Sequence, residues 1–208
     1  MREAVAPGVK PRSAGYGAWR GVARTGDITP QGASETFGRG KRFGLVALSG
    51  ERTYWFAVLT GEGAEADLER AFAGWHEPIA AVLASTPPSE RSYLELRDLP
   101  PLPRWHRDRH VLVGDAAHAM TPNMGQGAAQ ALLDVAALTS ELAAKPQAEA
   151  FRAYERARKR SAERVVRQSR AIGRVAQTAN PIAARLRDTL ARHTPAALMA
   201  RQMGRTLR

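Results

Sequence analysis

The stretch from Val111 to Ala128 reads Val-Leu-Val-Gly-Asp-Ala-Ala-His-Ala-Met-Thr-Pro-Asn-Met-Gly-Gln-Gly-Ala, and its residue types and spacing are those of a ligand site. The apolar run His110 to Val113 has the character of a strand buried on both faces of a parallel sheet, and it ends in Gly114 and Asp115. Ligands of open α/β sheets bind outside the carboxyl ends of the strands, so Asp115 stands where a carboxylate can hydrogen-bond hydroxyl groups. Beyond a loop containing Pro122 and Asn123, a helix is predicted from about Gly125 to Ala143, opening on Gly125-Gln126-Gly127. Glycines there let a planar ligand come close to the backbone. The first-turn amides have no partner within the helix and, with the helix dipole, favour an acceptor or a developing negative charge.

Three groups of elements must position these residues. From Tyr16 to Leu99 strand signals dominate: Tyr16 to Arg24, a stretch around Phe37, Phe43 to Leu48, Arg52 to Leu59 and Ser92 to Leu96. The two runs on either side of Ser49-Gly50-Glu51 read as a β-hairpin. Helices are predicted over Ala64 to Trp75 and Pro78 to Ala84, the latter with Pro in its first turn. The Pro-rich connector Leu99 to Pro103 marks a boundary. In the helix after Gly125, Ala128, Leu132, Val135, Leu138 and Leu142 recur at helical spacing, which predicts an apolar inward face with Gln126, Gln130, Asp134 and Glu141 outward. From Gln147 on the chain reads as helical: a long segment to about Ala176, a break at Asn180-Pro181, a second helix to about Arg192 and a short third after Pro195. The long helix carries Arg152, Arg156, Arg160, Arg164, Arg167, Arg170 and Arg174 along one side, and Phe151, Tyr154, Val165, Ile172 and Ala176 along a weaker apolar side.

Composition narrows the classes. A 208-residue chain with 44% hydrophobic and 25% charged residues has the make-up of a globular protein with a real core. With no cysteine, disulfide frameworks, thiolate metal sites and zinc fingers are excluded, and no metal site is expected. No apolar run reaches the roughly 18 residues of a membrane span, and the first residues lack a signal-peptide layout; the expectation is a cytoplasmic protein without a membrane partner. The net charge of +11 is unevenly placed, because residues 151–208 hold 15 Lys and Arg against 3 Asp and Glu. A nucleic-acid reading rests on that segment alone, where no recognition motif accompanies the arginines, and a solvated helix face accounts for them.

The residues from Gly114 to Ala128 match the form GDAAHxxxPxxGQGA, and by this long motif the chain resembles the FAD-dependent aromatic-ring hydroxylases of the salicylate hydroxylase type. The resemblance extends to Gly17-Ala18-Trp19-Arg20-Gly21, to Phe37 through Phe43, to Tyr54-Trp55-Phe56 and to Tyr154 through Arg158. Leu133-Asp134 departs from the family's usual Glu-Asp. The resemblance implies an α+β fold: an antiparallel substrate-domain sheet with helices (1–108), a strand-loop-helix segment of a Rossmann-type flavin domain (109–145), and basic C-terminal helices (146–208). It implies that Gly114 and Asp115 meet the ribityl chain, that Pro122 lies beside the ring, and that Gly125, Gln126, Gly127 and Ala128 form the turn facing the pyrimidine edge. In such enzymes NADH or NADPH reduces FAD, and an oxygen atom from O2 goes to an aromatic or other electron-rich small molecule. No catalytic side chain is assigned, since the cofactor carries the chemistry. His118 reads as a loop-ordering residue or an acid-base group; Arg20 reads as a substrate contact or a strand-end ion pair.

The family's GxGxxG strand-turn-helix, which holds the ADP end of FAD, is not in this sequence. The resemblance therefore implies a C-terminal portion, with roughly 150 to 180 residues of the family pattern lacking on a domain-size argument. Two alternatives follow: an inactive remnant or one half of a split flavoprotein, which would need a complementing half or a second copy, and an Arg-rich nucleic-acid-binding module.

Overall fold

The structure is a computed structural model that describes residues 1–26, 30–61, 63 and 66–193. Its described residues divide into two compact units, one within 1–14 and 97–173, the other within 15–96 and from 174 on.

The second unit is built on an antiparallel sheet. β1 (Arg12–Arg24), β2 (Ala33–Phe37), β3 (Lys41–Leu48), β4 (Arg52–Thr60) and β5 (Ser92–Asp98) stand in the order β2-β3-β4-β1-β5. The hairpin expected around Gly50 is the β3-β4 pair, in register Phe43 with Ala57 and Leu45 with Trp55. Its turn uses two left-handed residues, Gly50 at φ 70° and Glu51 at φ 53°. Alternation along the strands sends Ala23, Phe43, Leu45, Trp55, Ala57 and Leu59 to one face, where they pack with Leu68, Phe72, Ile79, Val82 and Leu83. Each such fully buried large side chain contributes roughly 1.5–3 kcal/mol. The last five come from α2 (Leu68–Ala71), α3 (Ile79–Ala84) and the turn after α2. The helix expected from Ala64 to Trp75 is thus shorter than its pattern, with residues 64 and 65 outside the described residues. Asp67 starts it by accepting the Arg70 amide at 2.9 Å, and Gly74 at φ 75° follows its end.

The first unit collects α1 (Arg2–Val5), the β6 (His106–Arg107) and β7 (His110–Val111) hairpin, α4 (Asp115–His118), α5 (Gly127–Ala144) and most of α6 (Gln147–Ala176). Its core joins Val5, Ala6, Leu102, Trp105, Leu112, Ala117, Tyr154 and Ala162. The run into Gly114 was expected among parallel neighbours; among the described residues β7 pairs only with β6, antiparallel. α7 (Pro181–His193) begins at the predicted break, where Asn180 accepts the amides of Ile182 and Ala183 at 2.9 and 3.1 Å. The helix expected after Pro195 lies outside the described residues.

The largest difference from expectation is in α5. Its buried residues are Gln130 and Asp134, whereas Leu132 is 71% and Val135 50% exposed. Of the apolar stripe, Ala128, Leu132, Val135 and Leu142 face outward and Leu138 packs against the core, while Gln130 and Asp134 of the polar stripe turn inward. Helical spacing finds two opposite faces but carries no sign, and here buried polar partners on α4 and α6 decide which one turns in.

Candidate functional site

Gly114 makes the bend between the β7 run and α4. At φ 55° and ψ −135° it occupies a region that side chains avoid. A Cβ placed there would also lie 3.0 Å from the Cβ of Ala131 on α5. Asp115 follows immediately as the first residue of α4, exposed and with no side-chain hydrogen bond or ion pair among the described residues.

The start of α5 is bare. Gln126 precedes its first turn without a side-chain cap, so the amides of Gln126, Gly127 and Ala128 lack protein acceptors among the described residues. Gly125 sits at φ 63° behind the short 3-10 turn Pro122–Met124, and a Cβ on Gly125 or Gly127 would meet nothing within 4 Å. This glycine pair leaves open space over exposed backbone donors. The buried Gln126 Oε1 also lacks a hydrogen-bond donor. The loop before this turn is tied to α6: Thr121 and Ser169 hydroxyls are 2.9 Å apart, Asn123 Nδ2 donates to the Ser169 carbonyl at 2.9 Å, and Ser169 Oγ donates to the Thr121 carbonyl at 2.5 Å.

A buried charged cluster joins the two glycine-bearing segments. Asp134 Oδ2 accepts the Gly114 amide at 2.9 Å and lies 2.5 Å from His118 Nε2, while Oδ1 accepts Arg158 Nε at 2.9 Å. Arg158 also donates to Gln130 Oε1 at 2.6 Å. Burial pushes the Asp134 carboxyl upward, but the hydrogen bonds from His118, the Gly114 amide and Arg158 prevail and hold it below the ordinary carboxylate value. His118 orders the loop, as one of its two expected roles required. The sequence had assigned Gln130 and Asp134 to the wetted side of α5; the one signal that could have found them is their i, i+4 spacing opposite Arg158 on the next helix.

The run that delivers Gly114 is itself tethered, because Tyr154 Oη donates to the Leu112 carbonyl at 3.0 Å. Burial pushes the Tyr154 hydroxyl far above its ordinary value, so it stays a donor.

In the other unit, the sheet face turned away from α2 and α3 carries Arg20, Val22, Tyr54, Phe56 and Arg42 in register around Gly44. The Tyr54 and Phe56 rings have centroids 6.3 Å apart, and a Cβ on Gly44 would run into the Phe56 ring. Arg20 Nε donates to Ser92 Oγ at 3.2 Å, and it has no ion pair among the described residues. Arg42, almost fully buried, pairs with Glu35 at 3.1 Å. The face thus combines aromatic surface with the exposed guanidinium of Arg20.

Comparison with known proteins decides the family. Residues 37–169 match the model of a family described as FAD binding domain. The chain belongs to this FAD-binding family. A similar relative is the aurachin C monooxygenase/isomerase of Stigmatella aurantiaca, 39% identical over 88% of this chain and 50% of that protein. The 2-heptyl-3-hydroxy-4(1H)-quinolone synthase of Pseudomonas aeruginosa is 34% identical over 94% of this chain and 54% of its own. Among solved structures, Klebsiella pneumoniae HpxO complexed with FAD and uric acid superposes with a TM-score of 0.91 at 28% identity, covering 99% of this chain and 56% of that one. The chain therefore spans about half the length of the relatives it matches.

FAD is the cofactor of this family, and the residues described above fit part of it. The bare amides over an open glycine cradle suit an electron-rich ring edge, and a partnerless carboxylate suits hydroxyls. The antiparallel sheet, the helices and the motif-bearing segment are those of the α+β expectation. No described helix is long and apolar enough to cross a membrane.

Proposed function

We propose that the chain is the substrate-sheet and flavin-edge portion of an FAD-dependent monooxygenase that uses NADH or NADPH and O2 to hydroxylate or epoxidise an aromatic or other electron-rich small molecule. The observation that carries this reading is the pairing of the Gly114–Asp115 turn with the uncapped start of α5, both anchored on one buried carboxylate. Relatives named as an aurachin C monooxygenase/isomerase, an FAD-dependent urate hydroxylase and a 3-amino-4-hydroxybenzoate 2-monooxygenase support the reaction class.

In this reading residues 1–108 supply the substrate sheet, 109–145 the flavin-edge segment and 146–208 the supporting helices. Gly114 and Asp115 take the ribityl chain, with the Asp115 carboxylate accepting from its hydroxyls. Pro122 lies against the ring, and Gly125, Gln126, Gly127 and Ala128 present the turn whose amides hold the pyrimidine edge and stabilise negative charge there. Bound FAD supplies the redox chemistry, accepting two electrons from the nicotinamide and activating O2 so that one oxygen atom reaches the substrate and the other leaves as water. The open sheet face, with Tyr54, Phe56 and Arg20, offers aromatic contact and positive charge to a small aromatic molecule. Arg170 of the basic row is engaged with Asp98 at 2.9 Å and Arg167 lies 4.0 Å from Glu163, which disfavours a dedicated nucleic-acid face.

The test is to purify the chain in excess FAD, desalt it, and record its visible spectrum and FAD affinity. Retained flavin with micromolar or tighter affinity supports the assignment and calls for NADH and NADPH oxidation assays with aromatic substrates. A colourless protein would overturn flavin binding by this chain and favour a half that requires a complementing partner.

A further inference from the structure

Asp134 lies beyond the motif that carries the site, yet three segments of the first unit converge on its carboxylate. A buried carboxylate without partners costs several kcal/mol, so its donors are obligatory. One is the Gly114 amide, at 2.9 Å. Gly114 has no side chain with which to hold its own conformation, and its left-handed φ of 55° is only one of many states open to glycine. A peptide N–H aimed at a fixed acceptor sets the orientation of that peptide plane. The next residue is Asp115, whose side chain has no partner among the described residues and whose direction is set by the backbone alone. The acceptor is fixed from behind, because Arg158 of α6 holds Oδ1 at 2.9 Å and Gln130 Oε1 at 2.6 Å.

We propose that Asp134 is a positioning residue for cofactor binding: without touching the cofactor, its carboxylate holds the Gly114 turn and thereby aims Asp115 at the ribityl hydroxyls. The proposal rests on the flavin assignment above. It also explains why α5 turns its polar stripe inward, since the helix must present Asp134 to Gly114, with Ala131 one turn before it against the glycine.

The experiment uses the whole 15N-labelled chain and three variants, Asp134→Leu, Asp134→Asn and Phe72→Ala. Gly114 amide exchange is read against the Leu112 amide of the same molecule, which bonds to the Trp105 carbonyl, and FAD affinity is measured alongside thermal stability. In Asp134→Leu, Gly114 exchange relative to Leu112 rises about tenfold, the equivalent of one lost charge-assisted hydrogen bond, and FAD binding weakens by a similar factor. Asp134→Asn keeps an acceptor oxygen and gives an intermediate, roughly threefold, change in both. Phe72→Ala, which opens a cavity in the core of the other unit, lowers the melting temperature but leaves Gly114 protected and FAD affinity within about twofold.

Unchanged Gly114 protection in Asp134→Leu, or FAD losses that track melting temperature equally in all three variants, would overturn the proposal. If Asp134→Leu does not fold, an Asp134→Asn chain with unaltered Gly114 exchange overturns it as well. If the unsubstituted chain takes up no FAD, the flavin assignment fails by itself, and Gly114 exchange still decides whether Asp134 holds the turn.

Discussion

Tyr154 reaches back 42 residues from α6 to donate a 3.0 Å hydrogen bond to the carbonyl of Leu112, two residues before the Gly114 bend. The bond is buried, and its donor ring packs with Trp105 at 5.7 Å between centroids. Tyr154→Phe keeps the ring and leaves the Leu112 carbonyl unsatisfied, which costs about 1–3 kcal/mol. The melting temperature should fall by roughly 2–10 °C for a chain of this size. A change within error would show that water replaces the hydroxyl.

Gly114→Ala meets two penalties, a left-handed backbone and a Cβ 3.0 Å from that of Ala131. The expected loss is about 1–3 kcal/mol. Gly125→Ala carries only the first, because its Cβ would point into open space. Denaturant unfolding should therefore rank Gly114→Ala below Gly125→Ala in stability, whereas FAD titration should show both weakened. The reverse stability order would contradict the packing of Gly114 on α5.

Gly44 and Phe56 form a testable pair on the open face of the sheet. Gly44→Ala drives a methyl group into the Phe56 ring and should destabilise the chain by about 1–3 kcal/mol. Adding Phe56→Ala removes the clash, so a double-mutant cycle should return a favourable coupling of at least ~1 kcal/mol. Simple additivity would mean that Phe56 swings aside at no cost.

The Asp134 carboxyl is held below its ordinary value in the folded chain. A depressed carboxyl contributes stability above the unfolded value near pH ~3.9, and that contribution is lost as pH falls through the folded value. Urea unfolding from pH 7 down to 3 should show Asp134→Asn less stable at neutral pH, with the gap to the unsubstituted chain closing at the acid end. A gap constant across that range would show that the carboxylate's charge contributes nothing.

Local signals were legible wherever a short stretch of chain satisfies itself. The β3-β4 hairpin follows from alternation on either side of Ser49-Gly50-Glu51, and the α6–α7 break from Asn180-Pro181, since a turn needs only its own residues. The motif from Gly114 to Ala128 was equally legible, because glycine freedom and uncapped helix amides are properties of the backbone at those positions. Partners distant in sequence were not. Periodicity gave α5 two faces, but the choice between them depended on His118 and Arg158, 16 and 24 residues away, and reversed the expected one. Likewise Arg170 read as an ordinary member of the basic row, and only the buried carboxylate of Asp98 took it out of the solvated face. The sequence by itself determined the main strands and the long helices, the family and the residues of the bend. Tertiary structure alone decided which polar groups are buried together, because burying a charge becomes tolerable only when a distant segment brings its counter-charge.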